Sequence, residues 1–203
     1  MPSSRFGHSA CLDMDRLIFF GGRDLETSFN DVAVFSPQSA TWIRMTSSPQ
    51  PAPRHGHTAC IFNREMYVFG GADFRTQTVY RDLWCLDLVT GKWKEIHIDM
   101  NPPEARFGHS MNVISGGLFI FGGQNFDQIF QDCFVFDLSV TPVRRDIVHL
   151  PASQVQSSMH SSCSAIIKDQ QVVCITGGLR NFTSFRLPSI GFVHSNPAES
   201  SSE

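Results

Sequence analysis

Short apolar segments recur along the chain and are separated by polar turns that are rich in Gly, Pro and Asp. Three of them, at residues 17–20, 66–69 and 118–121, each run directly into a pair of glycines. Segments of about four to eight residues with many aromatic and β-branched side chains are typical of strands. Because nearly every position is apolar, without alternation, we expect these strands to be covered on both faces. The pattern therefore predicts an all-β protein.

The chain also repeats itself, with a period of about 50 residues. Each period opens with a histidine followed by Ser or Thr, and three of these histidines end an Arg-x-Gly-His motif. A Gly-Gly pair, an Asp and a Trp then follow in that order. The histidines are His8, His57, His109 and His160, and the Gly-Gly pairs lie at 21–22, 70–71, 122–123 and 177–178. The aspartates are Asp31, Asp82 and Asp132, and the tryptophans are Trp42 and Trp93. Each period has room for four strands, which predicts the blades of a β-propeller.

These markers resemble the kelch repeat, and the resemblance places blades near 5–46, 54–100, 106–150 and 159–193. It implies that the glycines end the second strand and that an aromatic residue on the fourth strand packs between blades. In the third repeat, Val143 stands near the place of the Trp. The fourth repeat is incomplete, and residues 194–203 are predicted to be a disordered tail. Since kelch propellers usually have more blades, we expect a domain of residues 1–193 that forms part of a larger propeller.

The late part of the chain is similar to a narrower group, the kelch-type C-terminal region of tRNA wybutosine-synthesising methyltransferases related to leucine carboxyl methyltransferases. The similarity rests on the Pro-containing connector at 150–153, Met-His at 159–160, Gln-Gln at 170–171 and Gly-Gly-Leu-Arg-Asn-Phe-Thr-Ser-Phe at 177–185. It implies an accessory region of an AdoMet-dependent enzyme whose catalytic domain would precede these residues. Nothing in the sequence itself matches an AdoMet-binding loop.

Composition and charge narrow the function. A net charge of -3 gives no reason to expect a nucleic-acid or membrane surface, and no apolar run reaches the roughly 18–20 residues of a membrane span. We expect a cytoplasmic or nuclear protein with reduced cysteines, since no secretory signal is visible. Cys85, Cys133 and Cys174 lie in strand-like segments, and Cys11, Cys60 and Cys163 follow the repeat histidines. Packing is the favoured role for these cysteines over redox sensing.

The repeated polar residues invite a catalytic interpretation, but their positions favour structural roles. Equivalent histidines in different blades do not converge on one metal ion. We expect each to bond to backbone within its own blade, and each repeat Asp to brace a loop. Only Tyr67 and Tyr80 are available for a copper-radical site, and no nucleophile elbow or phosphate loop is present. The sequence therefore predicts a protein that is not an enzyme and needs no cofactor or metal.

The loops between the second and third strands are the predicted functional surface. They lie at 23–29, 72–80, 124–130 and 179–182, emerge on one face of a propeller and combine aromatic with polar residues. Aromatic and arginine side chains are common anchors of protein interfaces. The leading hypothesis is an adaptor or substrate-recognition module that binds another protein; tRNA enters only under the methyltransferase alternative. The candidate partner-binding residues are Arg23, Phe29, Phe74, Arg75, Tyr80, Phe126, Phe130 and Arg180.

Overall fold

Each of the first three repeats folds into a four-stranded antiparallel sheet in the computed structural model of the protein. The structure describes residues 1–98, 102–114 and 116–148, and further along only the backbone of three strands. Arg180 and the predicted tail at 194–203 lie outside these residues. The first blade contains β1 (Ser9–Asp13), β2 (Arg16–Phe20), β3 (Val32–Ser36) and β4 (Thr41–Met45).

The later blades follow the same plan. Blade 2 contains β5 (Thr58–Phe62), β6 (Glu65–Phe69), β9 (Leu83–Asp87) and β10 (Trp93–Ile96), with a small hairpin, β7 (Ala72–Asp73) and β8 (Thr78–Val79), in its loop. Blade 3 contains β11 (Ser110–Ile114), β12 (Gly117–Phe121), β13 (Cys133–Asp137) and β14 (Arg144–Ile147). The described backbone of blade 4 contains β15 (Ser161–Ile167), β16 (Gln170–Thr176) and β17 (Thr183–Arg186).

The four sheets are arranged around the first strand of each blade. Every strand of a blade pairs with its chain neighbours in the order first, second, third, fourth. Between blades, β1 contacts β5, β5 contacts β11, and β11 contacts β15. The first strands therefore line the inside and the later strands radiate outward, which confirms the predicted propeller. Within the described residues there is no helix long and apolar enough to cross a membrane.

Two apolar cores lie between consecutive blades. One packs Ile18 and Phe20 of blade 1 against Met66, Val68 and other residues of blade 2; the other joins blades 2 and 3 in the same way. All residues of β12 and β13 are buried, as expected for strands covered on both faces. The ring of Trp93 lies 5.1 Å from that of Phe20, so the prediction that this aromatic residue packs between blades is confirmed.

Val143 lies near the place of the Trp, two residues before the corresponding position in the sheet. Trp42 pairs with Phe35 and Trp93 pairs with Leu86, but the equivalent residue of β13, Phe136, pairs with Arg145. The turn before β14 is longer than its counterparts, so equal spacing along the sequence does not give equal places in the sheet. Val143 is instead buried beside blade 2, where its N–H donates to the His97 carbonyl oxygen at 3.0 Å.

The Gly-Gly pairs allow two blades to approach closely. Gly70 has a φ of +64°, and a Cβ at this position would lie 2.6 Å from the carbonyl oxygen of Arg106 in the next blade. Gly71 has a φ of +99°, and its Cβ would lie 2.9 Å from the Cβ of His57. Positive φ favours glycine at both positions. The close contacts are a second reason, with the next blade at Gly70 and within blade 2 at Gly71.

Gly70→Ala should lower the free energy of unfolding by about 2–5 kcal/mol, because it adds a left-handed alanine and a clash with backbone. Gly91→Ala is the matched control: its φ is +71°, but a Cβ there meets only the flexible end of Met45. The control should cost about 1–2 kcal/mol. Chemical denaturation measures both; equal losses for the two variants would contradict the close-approach role of Gly70.

Candidate functional site

A buried arginine at the start of each of the first three blades holds the base of the loops. In blade 2, Arg54 donates to both carboxylate oxygens of Asp82 at 2.7 and 2.8 Å, to the Gly70 carbonyl oxygen at 2.9 Å and to the Ala52 carbonyl oxygen at 3.0 Å. Its side chain is fully buried. Arg5 and Arg106 make the same contacts in blades 1 and 3, with Asp31 and Asp132. Each of the first three blades therefore has an arginine–aspartate clamp, and the predicted loop-bracing role of the aspartates is confirmed.

Burial and pairing act in opposite directions on the carboxylate of the clamp. Burial raises the pKa of Asp82, but hydrogen bonds and charge from Arg54 and a hydrogen bond from the Trp84 indole N–H outweigh it. The net effect is a pKa below the ordinary value of 3.8. Asp82 is therefore ionised at neutral pH, and its charge is balanced inside the blade.

Three of the predicted partner-binding aromatics belong to these clamps. The guanidinium of Arg5 lies 4.3 Å from the ring centre of Phe29, and the corresponding distances for Arg54 to Tyr80 and Arg106 to Phe130 are both 4.2 Å. Phe130 is only 8% exposed. Such stacking stabilises a cation that is removed from water. Phe29, Tyr80 and Phe130 thus pack under their loops and are engaged within the molecule.

The repeat histidines connect neighbouring blades. His57 Nε2 shares a hydrogen bond of 2.9 Å with the Ser9 hydroxyl of blade 1, and His109 Nε2 shares one of 2.6 Å with the Thr58 hydroxyl of blade 2. The expectation of backbone bonds within one blade was wrong. Ser9 follows His8, and Thr58 follows His57. His57 therefore links blade 2 to blade 1, while the adjacent Thr58 links blade 2 to blade 3.

Burial keeps the linking histidines neutral. His57 is 5% exposed and His109 3%. Burial, supported by the charge of Arg106, lowers the pKa of His109 to about 3, and burial with the charge of Arg54 lowers that of His57 well below its ordinary 6.5. A neutral imidazole fits this environment because a charged one would lose its hydration beside a buried arginine.

An exposed row of aromatic rings crosses three blades on the loop face. We call Phe6, Arg23, Phe74, Phe107 and Phe126 the aromatic–arginine ridge. The Arg23 guanidinium lies 5.6 Å from the Phe6 ring centre and 5.5 Å from that of Phe74. Phe74 lies 5.4 Å from Phe107 and 5.7 Å from Phe126, and the last two are 6.0 Å apart. Each ridge residue therefore contacts a side chain of another blade, either directly or through one neighbour within the ridge.

The ridge is exposed although it is apolar. Phe6 is 54% exposed, Phe126 51% and Phe74 38%. Leu25 and Ile129, in the same loops, are also exposed. A contiguous apolar surface of this kind marks an interaction site more often than scattered apolar residues do. The structure thus brings together Arg23, Phe74 and Phe126 from the predicted set.

Local hydrogen bonds hold the ridge loops in shape. Asp24 accepts from the N–H groups of Glu26 and Thr27, both at 2.8 Å, and Asn125 accepts in the same way from Asp127 and Gln128. These Asx-type turns reduce the freedom of the loops before any partner binds. The Arg23 side chain is fixed too, since it donates to the carbonyl oxygens of Asp24 and Leu25. The ridge is therefore a preorganised surface.

His55 forms the floor of the ridge. It is 6% exposed, and its ring contacts Phe74 edge to face at 4.3 Å between centres. Nδ1 lies 3.4 Å from the Ser28 hydroxyl, which donates to Asp73 at 3.1 Å. Burial and the charge of Arg23 lower the pKa of His55, while Asp73 opposes them. His55 joins the first two loops and is neutral at physiological pH.

Sequence reasoning missed Phe6, His55 and Phe107. They occupy the variable position of Arg-x-Gly-His, a motif assigned wholly to structure. In the first three blades this position pairs with the residue after the Gly-Gly pair, which brings its side chain to the loop face. The sequence did contain a signal for this position, because its residue changes from Phe to His between motifs that are otherwise identical. Of the remaining candidates, Arg75 is exposed at a loop tip, and Arg180 lies outside the described residues.

Neither a metal site nor a reactive thiol is evident among the described residues. Among the described residues, no group of three or more His, Cys, Asp or Glu could hold a metal ion. Cys11, Cys60, Cys85 and Cys133 are free thiols. Burial raises the pKa of Cys11 to about 11, and burial together with the Glu65 carboxylate raises that of Cys85 to about 12. These thiols are protonated at neutral pH, which does not favour a redox sensor.

Comparison with known families agrees with this architecture. Residues 45–189 match the model of the KLHDC2/KLHL20/DRC7 Kelch-repeats domain. The chain belongs to the kelch-repeat family. Its fold resembles the solved structure of YjhT with a TM-score of 0.68 and 16% identity, over 83% of this chain and 58% of that one. At this identity the likeness shows the fold alone.

Curated relatives of this kelch chain are much longer proteins. It is 35% identical to Acyl-CoA-binding domain-containing protein 5 of Arabidopsis thaliana over 91% of its own length and 30% of the relative's. It is 34% identical to Adagio protein 3 of the same plant over 60% of its length and 20% of the relative's. The chain therefore spans less than a third of either relative, and the family supports a protein-interaction module.

Acid should destabilise this kelch domain before its carboxylates titrate. The unfolded chain binds protons at histidine below pH 6.5, whereas His109 in the folded chain binds one only near pH 3. Stability is therefore complete above pH 6.5 and falls as the pH drops, by about 1.4 kcal/mol per pH unit for each such histidine.

Urea denaturation between pH 4 and 7.5 measures this slope. His109→Gln should lower the slope of stability against pH by about 1.4 kcal/mol per pH unit, the contribution of one histidine. This holds even if the variant is less stable than wild type at pH 7.5. A slope that is the same in wild type and His109→Gln would contradict the neutral, buried state of His109.

Proposed function

We propose that the chain is a non-catalytic protein-binding module that acts as an adaptor or substrate-recognition propeller through the aromatic–arginine ridge. The observation that carries the proposal is an exposed row across three blades, in which Arg23 lies against Phe6 and Phe74, and Phe74 lies against Phe126. The membership of the kelch family supports an interaction role.

The ridge has the composition of an energetic centre of an interface. Burying a phenylalanine ring that is half exposed stabilises a complex by roughly 1–2 kcal/mol from apolar area alone. Arg23 adds a planar cation that is already held between two rings, so little side-chain freedom is lost on binding. Among the described residues it forms no ion pair, which leaves its charge available to a partner.

The methyltransferase alternative stays a prediction. The segments that carry that resemblance, from 150 to 185, have no described side chains. The reading frame upstream of Met1 separates the two hypotheses: an AdoMet-binding domain there would favour the accessory role, and further repeats would favour the adaptor.

Single alanine substitutions test the ridge. Phe74→Ala, Phe126→Ala and Arg23→Ala should each reduce capture of the same bound protein from cell extract by about tenfold or more, as expected for interface anchors. Quantitative mass spectrometry of affinity-purified wild type and variants measures the loss. Far-ultraviolet circular dichroism should match wild type in all three variants, since Phe74 and Phe126 are exposed and Arg23 is a partly buried loop residue outside the strands.

Val89→Ala is the matched control, because Val89 is 71% exposed in the turn between β9 and β10, at the opposite ends of the strands. Capture should be unchanged in this variant. Equal capture by wild type and all three ridge variants, or equal loss in Val89→Ala, would overturn the proposed surface.

A further inference from the structure

A cleft of about 870 Å³ lies on the outer rim, between blades 2 and 3. One wall carries Tyr67, Cys85 and Ile96 of blade 2, and the other is formed by part of the segment 138–143 of blade 3. The cleft reaches the β9–β10 turn, at the end of the strands away from the loop face. No residue of the aromatic–arginine ridge lines it, so the cleft is separate from the surface assigned above.

Blade 3 has no counterpart of Trp93, and this leaves the cleft open. Between blades 1 and 2, the ring of Trp93 fills the space by reaching the Phe20 ring at 5.1 Å. Arg145 holds the equivalent place in blade 3, where it pairs with Phe136. Its guanidinium lies 5.7 Å from the ring centre of Phe134 in its own blade and does not line the cleft. The space that a tryptophan fills in one pair of blades is therefore empty of side chains in the next.

The two walls of the cleft meet at Val143. This residue is 6% exposed, and its N–H donates to the His97 carbonyl oxygen at 3.0 Å. Ile96 and Leu138, which line the cleft on either side, also pack against the apolar core between blades 2 and 3. The cleft thus has apolar walls, which suit the hydrocarbon stem of a ligand.

Glu65 brings a carboxylate to the cleft. It lies on the same face of β6 as Tyr67, whose hydroxyl donates to Glu65 Oε2 at 2.6 Å. Burial and this carboxylate raise the pKa of Tyr67, so its hydroxyl remains a donor at neutral pH. Among the described residues, no Lys, Arg or His forms an ion pair with Glu65. Its negative charge is therefore left for a ligand to balance.

The other charged groups around the cleft differ in their exposure. Asp87 pairs with Glu65 across the sheet and accepts from N–H groups of the turn that follows it. Carboxylates placed opposite each other repel, and a cation between them relieves the repulsion. Glu95 adds a third carboxylate to the lining. Lys92 and Lys94 are exposed, so water and salt screen their charges more than that of the partly buried Glu65. The inner part of the cleft therefore favours a cation.

We propose that this cleft binds the side chain of a lysine or arginine carried by an extended segment of a partner protein. The apolar walls take the stem, and Glu65 accepts hydrogen bonds from the cationic head. All of β10 borders the cleft, and β10 is the edge strand of its sheet. An extended peptide can pair with the backbone of such an edge, which is why the cation is assigned to a peptide. The site does not depend on the proposed function of the ridge.

The test measures binding of short peptides to the full chain. Acetyl-Val-Lys-Val-amide carries the basic side chain, and acetyl-Val-norleucine-Val-amide replaces it with an uncharged stem. Two-dimensional ¹H–¹⁵N NMR follows the amide signals of Tyr67, Cys85 and Val143 during each titration. The lysine peptide should shift these signals and bind more tightly than the norleucine peptide by about fivefold or more, as expected for one partly buried ion pair.

Three variants locate the cation. Glu65→Gln removes the charge but keeps an oxygen that accepts from Tyr67, and the two peptides should bind this variant equally. Glu26→Gln is the matched control, because Glu26 is an exposed glutamate in the loop between β2 and β3, and it should retain the preference for lysine. Lys94→Gln removes an exposed cation from the lining and should strengthen binding of the lysine peptide by about twofold or more. This third change lies on the surface and does not require that Glu65→Gln folds.

n-Butylammonium has the same stem and charge as lysine but no backbone. It should bind more weakly than the lysine peptide by about fivefold or more, because it cannot pair with the edge of β10. Equal binding of the two would overturn the assignment to a peptide. Equal binding of the lysine and norleucine peptides by wild type, or a preference for lysine that survives Glu65→Gln, would overturn the proposal as a whole.

Discussion

The arginine–aspartate clamp is the interaction on which the rest of the structure depends. In each described blade one arginine joins the segment before the first strand, the end of the second strand and the start of the third. Arg54 and Arg106 are almost completely buried, so their charges require the paired carboxylates. Removing one partner of such a pair leaves an uncompensated charge and costs about 3–5 kcal/mol. The clamp thus fixes where each loop begins and ends.

The clamp and the junction together place the ridge. The arginine side chain points into the blade, and the next residue is directed to the opposite side, where Phe6 and Phe107 join the exposed surface. Histidine–hydroxyl links and the glycine contacts hold successive blades at one spacing. As a result, Phe74 of blade 2 lies 5.4 Å from Phe107 and 5.7 Å from Phe126 of blade 3, although Phe126 is about 50 residues away in sequence. A rigid repeat therefore produces one continuous surface.

The sequence was sufficient for the repeat but not for the contacts between its copies. Periodicity identified the strands, the glycine turns and the loop face, because these depend on local pattern. It could not show that His57 bonds to Ser9, since the partner lies one full period away. The aromatic residues in the loops divided into two groups for the same reason: Phe29, Tyr80 and Phe130 stack on buried arginines, whereas Phe74 and Phe126 stay exposed. Only the position of the guanidinium distinguishes them.

A double-mutant cycle between Arg54 and Asp82 tests the clamp most directly. Arg54→Met and Asp82→Asn are compared singly and together by chemical denaturation at pH 7. If the clamp organises the blade, each single change should cost about 3–5 kcal/mol, and the double variant should cost little more than either one. The coupling would then amount to several kcal/mol. Losses that simply add would contradict the account, because the two side chains would then stabilise the blade independently.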